Sequence, residues 1–229
     1  MQQIDFLSLS SNPVISLFVF FALSLLPFTV LGLTSFLKFS VVFSILRNAL
    51  GAGQIPGVAI SSLLAAILSM QVMQPVFEQT KNELSLISLV DSSSRFKIPS
   101  NEELEFVTLP WRNFLLKHSG SREVFQFRKV TRSSLNSSEL SENVSEETPL
   151  SDFSWLIPAF ILTELKEAFV IGFALFIPFV AIDLLVTNLL VGLGMMMVSP
   201  NTIALPLKIL LFVSCDGWLR LSSSLLAGY

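Results

Sequence analysis

Apolar positions in this chain form long unbroken runs, not the 3.6-residue stripes or short alternations of a water-soluble fold. No Asp, Glu, Lys or Arg occurs between Asp5 and Lys38, between Arg47 and Glu78, or between Asp183 and Lys208. Each gap exceeds the roughly 20 residues that cross a hydrocarbon core of about 30 Å. The pattern predicts a first membrane span within 13–37, a second within 49–76 and further apolar helix after Trp155. The short segment holding Lys38, Arg47 and Asn48 reads as a cytoplasmic connection between the first two spans, because basic residues in short loops favour that side. The tail Met1–Asn12 carries Asp5 and no Lys or Arg, so it is expected outside. It lacks the basic region and cleavage site of a signal peptide, and the first run therefore reads as a retained span.

Residues 78–152 differ, with 12 acidic and 9 basic side chains, and return to the outer face if the second span crosses fully. Leu104, Phe106, Trp111, Phe114, Leu115 and Phe125 predict some helix within 102–130. The stretch 131–151 is rich in Ser and Glu and buries too little apolar surface to offset ordering entropy, which predicts a flexible linker. Its triplets Asn136-Ser137-Ser138 and Asn143-Val144-Ser145 are what chance gives in a Ser-rich tract. Beyond Trp155, the charges of Glu164, Lys166 and Glu167 leave only 168–182 uninterrupted before Asp183. Either this is a tilted or partial hairpin held within an assembly, or the charges lie at depth and meet partners on neighbouring helices. Pro158, Pro178, Pro200 and Pro206 predict helix breaks satisfied by other protein or a watery lumen. The fold class is an all-α membrane protein with about four long apolar helices arranged as hairpins. Three regions follow: membrane helices over 1–77, a partly helical polar insertion over 78–152 that is expected on the periplasmic side, and a helical hairpin over 153–229 that carries the Met-rich segment.

Composition agrees, with 52% apolar residues, 14% charged residues and a mean hydropathy of +0.71. A net charge of −3 adds nothing about partners, and no nucleic acid partner is expected. Cys215 is the single cysteine, so no internal disulfide forms, and its apolar context predicts a buried packing role. His118 is likewise alone, which removes a histidine cluster as a metal site. The glycines of GAGQIPG at 51–57 lack the Lys-Ser/Thr pair of a phosphate cradle. Gly192-Leu193-Gly194 is followed by Met195 where an intramembrane aspartyl protease would need Asp. The two apolar halves share no evident repeat of the kind secondary transporters often carry. No enzyme activity and no cofactor are expected, and a self-contained channel is the main competing class.

The most distinctive local feature is Met195-Met196-Met197, preceded by Gly192 and Gly194 and followed by Val198-Ser199-Pro200. On a regular helix three consecutive side chains point about 100° apart and share no face. In a loop they can project into one space, where deformable thioethers would make a gasket. The alternative is that they fill an irregular helix junction. Charges within or beside apolar segments, Arg47, Glu164, Lys166, Asp183, Lys208 and Asp216, are expected to pair, for assembly and register. Glu164 and Glu167 share a helix face and call for a basic partner such as Arg47 or Lys208, from this chain or an adjacent subunit. Asp216 and Arg220 are spaced for an i,i+4 helical pair.

Three stretches in order, FSILRNALG at 43–51, ELKEAFVIGFALFIPFVAIDLLV at 164–186 and GLGMMMVSPNTIALPLKILLFVSCDGW at 192–218, resemble the SctR/FliP family of type III export-apparatus subunits. The likeness covers both apolar halves, roughly two thirds of the chain, while 78–152 carries little of it. It implies a homopentamer that joins two smaller subunit families, SctS/FliQ-like and SctT/FliR-like, in a conical complex through which unfolded polypeptides cross the bacterial inner membrane. A larger export-gate subunit and a separate ATPase would couple the energy. The resemblance maps the constriction onto Met195, Met196 and Met197, and it implies that assembled subunits depart from a simple spanning topology. Ser199 before Pro200 and Leu207 after Pro206 look more like the injectisome branch than the flagellar one.

Overall fold

The structure, a computed structural model, describes residues 32–51, 57–86, 101–136, 149–195 and 197–229, with isolated positions at 17, 20, 21, 24 and 25. Most of the first predicted span, the tail before it, nearly all of GAGQIPG, the second Asn triplet and the centre of the predicted linker lie outside these residues. Among the described residues all regular structure is helical. The helices are α1 (Phe36–Leu50), α2 (Val58–Leu86), α3 (Asn101–His118), α4 (Ser121–Asn136), α5 (Pro149–Gly192), α6 (Pro200–Ser214) and α7 (Gly217–Ala227).

Helix α5 is the axis of the molecule. Its 44 residues rise about 66 Å, twice the thickness of a hydrocarbon core. Helices α1, α3, α4 and α6 all pack against it. Pro158 and Pro178 sit inside it without ending it, so the breaks predicted at these prolines do not occur. Pro206 is likewise interior to α6, and Pro200 opens that helix at its first turn, where a missing N–H costs nothing. Among the described residues two helices, α2 and α5, are long and apolar enough to cross a membrane, and α6 with α7 makes a third candidate bent by 59°.

Helix α1 is the most enclosed element. Phe39, Val42, Phe43, Leu46, Ala49 and Leu50 repeat at helical spacing and form one core with Ala65 and Leu68 of α2, Ala168 and Phe179 of α5, and Leu221 and Leu225 of α7. The segment expected to be a cytoplasmic connection is therefore this buried helix. Positive-inside counting assumes solvated cations, whereas Lys38 is only 3% exposed and neutralised from within the chain. A second core joins Met73 and Val76 of α2, Phe114 and Leu115 of α3, and Trp155, Leu156 and Phe160 of α5.

The polar insertion is more helical than its composition predicts. Helix α2 runs through residue 77 to Leu86, α3 and α4 fill 101–136, and α5 begins at Pro149. Helix already occupies 131–136 and 149–151, which trims the predicted linker from both ends. Tertiary contact explains it: Val124 and Phe127 lean on the second core, and Arg128 lies over the Trp155 ring at 5.7 Å.

Candidate constriction loop and buried polar belt

Helix α5 ends in a specific way. Gly194 adopts φ 73, the Gly194 N–H donates to the Val191 carbonyl at 3.0 Å, and the Met195 N–H donates to the Leu190 carbonyl at 2.9 Å. This pair of bonds is a Schellman motif with glycine at its left-handed position, where a side chain would be strained. The chain re-enters helix at Ser199 and Pro200, with the Thr202 N–H donating to the Ser199 carbonyl. Val186 and Leu190 of α5 pack on Ala204 of α6, with Ile182 and Val198 beside them, so the hairpin legs are zipped to the base of the turn.

At the tip, apolar groups have no cover. Met197 is fully exposed, Leu193 is 73% exposed and Met195 46%. Nothing lies within 4 Å of where a Cβ would stand on Gly192 or Gly194. Met195 and Met197 sit in the turn, beyond the last helical residue Gly192. Met196 lies outside the described residues.

About 40 Å back along α5, at 1.5 Å per residue, lies the opposite kind of site. Lys38 Nζ bonds Glu167 at 2.6 Å and sits 4.4 Å above the Tyr229 ring. The Tyr229 hydroxyl donates to the Glu164 carboxylate, and Glu164 is 1% exposed. Burial first, and the neighbouring Glu164 second, push the Tyr229 phenol above its ordinary range, so it stays a donor. His118 lies between Phe114, at 4.7 Å between ring centres, and Tyr229, at 5.0 Å. Burial, then Lys117 and Lys38, hold His118 below its ordinary value, with Glu167 opposing. Thr163 Oγ accepts from the Gly120 N–H at 2.9 Å and donates to the Ala159 carbonyl at 2.8 Å, tying the α3–α4 turn to α5. Lys166 reaches Glu123 at 3.3 Å. Hydrogen bonding to its own backbone N–H, then Lys166, lowers the Glu123 carboxyl.

A third site links three helices. Lys208 Nζ, on α6 and 3% exposed, contacts Asp183 of α5 at 2.6 Å and donates to the Ala49 carbonyl of α1 at 3.0 Å. It can do so because α1 stops at Gly51, whose φ of 72 turns the chain away and whose missing side chain leaves room: a Cβ there would stand 3.6 Å from Lys208 Nζ and 3.2 Å from Asn201 Oδ1.

The six charges singled out from sequence therefore divide. Asp183 pairs with Lys208, Lys166 pairs with Glu123, and Glu164 takes a tyrosine instead of the cation expected for it. The cation for Glu167 is Lys38, not Arg47 or Lys208. Arg47 makes no ion pair among the described residues. Asp216 makes none with Arg220; it occupies the bend between α6 and α7 at φ 52, and its backbone carbonyl accepts from the Arg220 N–H at 3.0 Å. Cys215, expected to be buried, is exposed at the same bend, because α6 ends one residue earlier. Sequence reasoning missed Lys38 as a functional position. The signal was present: Lys38 is the first charge after a 32-residue apolar run. Tyr229 had no local signal, since its role depends on α7 folding back near α2.

The FliP family profile matches residues 19–225. Among similar proteins, Yop proteins translocation protein R of Yersinia pestis is 42% identical over 212 residues, covering 90% of this chain and 92% of that one. Surface presentation of antigens protein SpaP of Salmonella typhi is 41% identical over 221 residues, covering 94% and 96%. Virulence protein YscR of Salmonella typhimurium is 37% identical over 212 residues, covering 93% and 94%. With the match running through α1, α2, α5, α6 and most of α7, this chain belongs to the FliP family.

Proposed function

We propose that this chain is a core subunit of the type III secretion export gate, of the injectisome branch, and that Met195, Met196 and Met197 form its constriction. It works in the bacterial inner membrane as one component of a larger export apparatus. Five copies, together with SctS/FliQ-like and SctT/FliR-like subunits, surround a conduit for unfolded polypeptides, and the polar region 78–152 lies toward the periplasm. A larger export-gate subunit and a separate ATPase couple the energy. The chain itself contributes shape and closure and catalyses no reaction.

The observation that supports this most is the bare apolar tip. A Schellman-capped turn on a hairpin packed at its base leaves Met197 fully exposed and Met195 46% exposed. Unbranched thioethers can close on one another and then deform around segments of any sequence, as a conduit for diverse unfolded chains requires. A small-ion channel would instead present polar or charged groups at its narrowest ring. The names of the relatives, translocation protein and virulence protein, fit the same role.

Site-directed disulfide trapping tests the reading. Cys215 is first replaced by Ser because it is exposed. With Met197→Cys as the sole cysteine, a secreted protein stalled by a fused folded domain and carrying one cysteine in its transit segment should crosslink to position 197. The same substrate should not crosslink to Lys81→Cys, exposed on α2. Active secretion with no crosslink at 197 would overturn the assignment.

A further inference from the structure

Tyr229 stands where four helices meet. Its ring packs against Phe39 of α1 at 5.6 Å, Phe114 of α3 at 6.4 Å and His118 of α3 at 5.0 Å between centres, and Lys38 Nζ lies over it at 4.4 Å. Its hydroxyl donates to Glu164 of α5. One aromatic side chain thus closes the end of α7 onto α1, α3 and α5. His118 is the wall of that seat whose charge changes near neutral pH.

The members of the seat differ in how firmly they are held. His118 ends α3, and two residues later the Gly120 N–H bonds Thr163 of α5. Lys38 is fixed by Glu167, and Phe39 and Phe114 belong to the two cores. Leu221 and Leu225 anchor α7, but Tyr229 lies beyond its last residue, Ala227, tied back by its N–H to the Leu226 carbonyl at 3.2 Å. The tyrosine is therefore the member that can leave.

The charged groups facing His118 are Lys117 of its own helix, Lys38 of α1 and Glu167 of α5. Lys38 already neutralises Glu167, and Glu164 is engaged by the tyrosine hydroxyl. An imidazolium in the seat would meet two cations and carboxylates that already have partners. Burial, then those lysines, hold His118 below its ordinary value of 6.5 while the tyrosine is seated. Once the ring departs, water reaches the imidazole and the value returns toward the ordinary one.

We propose that His118 is an acid-operated catch for the Tyr229 end of α7: the neutral imidazole keeps the tyrosine ring seated, and the imidazolium, a second cation beside Lys38, releases it. The seat is complete above about pH 6.5 and weakens as pH falls. Each pH unit lost between 6.5 and the depressed value raises the ratio of released to seated chains by up to about tenfold, and below that value the ratio levels off. Release leaves the buried Glu164 carboxyl without its hydroxyl donor, so a proton taken up in the polar insertion is felt inside α5.

Tyr229 is the only tyrosine of the chain, so tyrosine labelled with carbon-13 in its ring is a single-site probe. The full chain in detergent micelles is followed by NMR from about pH 8 to about pH 5, the range that brackets histidine titration. The ring signals should begin displaced from those of free tyrosine by the neighbouring rings and move toward them in acid. His118→Gln, which takes up no proton, should hold them in place throughout. His118→Lys, a permanent cation, should show released signals at the start, with circular dichroism confirming its helices; if the helices are lost, the Gln variant alone decides. Native signals that ignore pH, equal movement in His118→Gln, which would assign the proton to Glu164 or Glu167, or a seated ring in folded His118→Lys would each overturn the proposal. None of these results bears on the constriction at Met195–Met197.

Discussion

The two ends of α5's exposed stretch solve opposite problems. At the Glu164 end, Lys38 is matched to Glu167, Tyr229 to Glu164 and Thr163 to the Gly120 N–H, all within a single copy of the chain. At the Met195 end, Met197 and Leu193 stand largely uncovered and Met195 is about half covered. The difference follows from what an unmatched group costs. An unpaired charge facing hydrocarbon costs at least about 2.5 kcal/mol on insertion scales, so charges must be resolved inside the protomer before it can fold in a membrane. A thioether left bare in lipid or in a lumen costs little, and it can wait for other copies to cover it. One end is finished by folding, and the other is left for assembly.

Substitutions that break folding without touching the tip should have the largest effect on the protomer. Lys208→Ala removes the cation from Asp183 and a charged donor from the Ala49 carbonyl; Asp183 is 42% exposed, so water offsets part of its loss, and the substitution should cost about 2–3 kcal/mol, mostly through the buried carbonyl. Thermal unfolding of the purified chain should show it, together with reduced abundance in membranes; a native-like melting temperature would mean that the α1–α5–α6 junction is not held by this lysine. Tyr229→Phe is smaller in kind, because it leaves the buried Glu164 carboxylate without its hydroxyl donor while Lys38 keeps Glu167. It should cost about 1–3 kcal/mol by the same assay. A melting curve unchanged by that substitution would show the belt to be closed without Tyr229.

The smallest effect should be a pH dependence at the belt. His118 is held below its ordinary value of 6.5, chiefly by burial. The unfolded chain then binds a proton that the folded one resists, so stability rises with pH in this window. The contribution is complete above about pH 6.5 and is lost as pH falls through the interval down to the depressed folded value. Melting midpoints measured from pH 7.5 to 5 should drop more for the native chain than for His118→Gln. Equal slopes would remove His118 from the belt.

The sequence was most informative where local chemistry decides structure. Glycine and proline punctuation made a regular helix doubtful between Gly192 and Pro200 and left a loop and an irregular helix junction as alternatives; the structure stops α5 in a turn at Gly194 and restarts helix at Pro200. Charge gaps likewise located α2 and the apolar half of α5. What could not be read was partner choice over long separations: Lys38 and Glu167 are 129 positions apart, and Glu164 and Tyr229 are 65. The interior prolines misled for a related reason, since α5 stays helical through Pro158 and Pro178 with its covered face packed on neighbouring helices. The 38–48 segment, expected as a short connection, is buried helix instead, because the cation assumed to be wet is paired.

The central claim is that the bare tip is a seal. Cells carrying Met195→Ala, Met196→Ala and Met197→Ala together should still assemble the export complex, as judged by native electrophoresis, yet their inner membranes should leak small ions that the unmodified complex retains. A complex that assembles, secretes and stays tight with all three methionines removed would contradict the claim and make the tip a packing element.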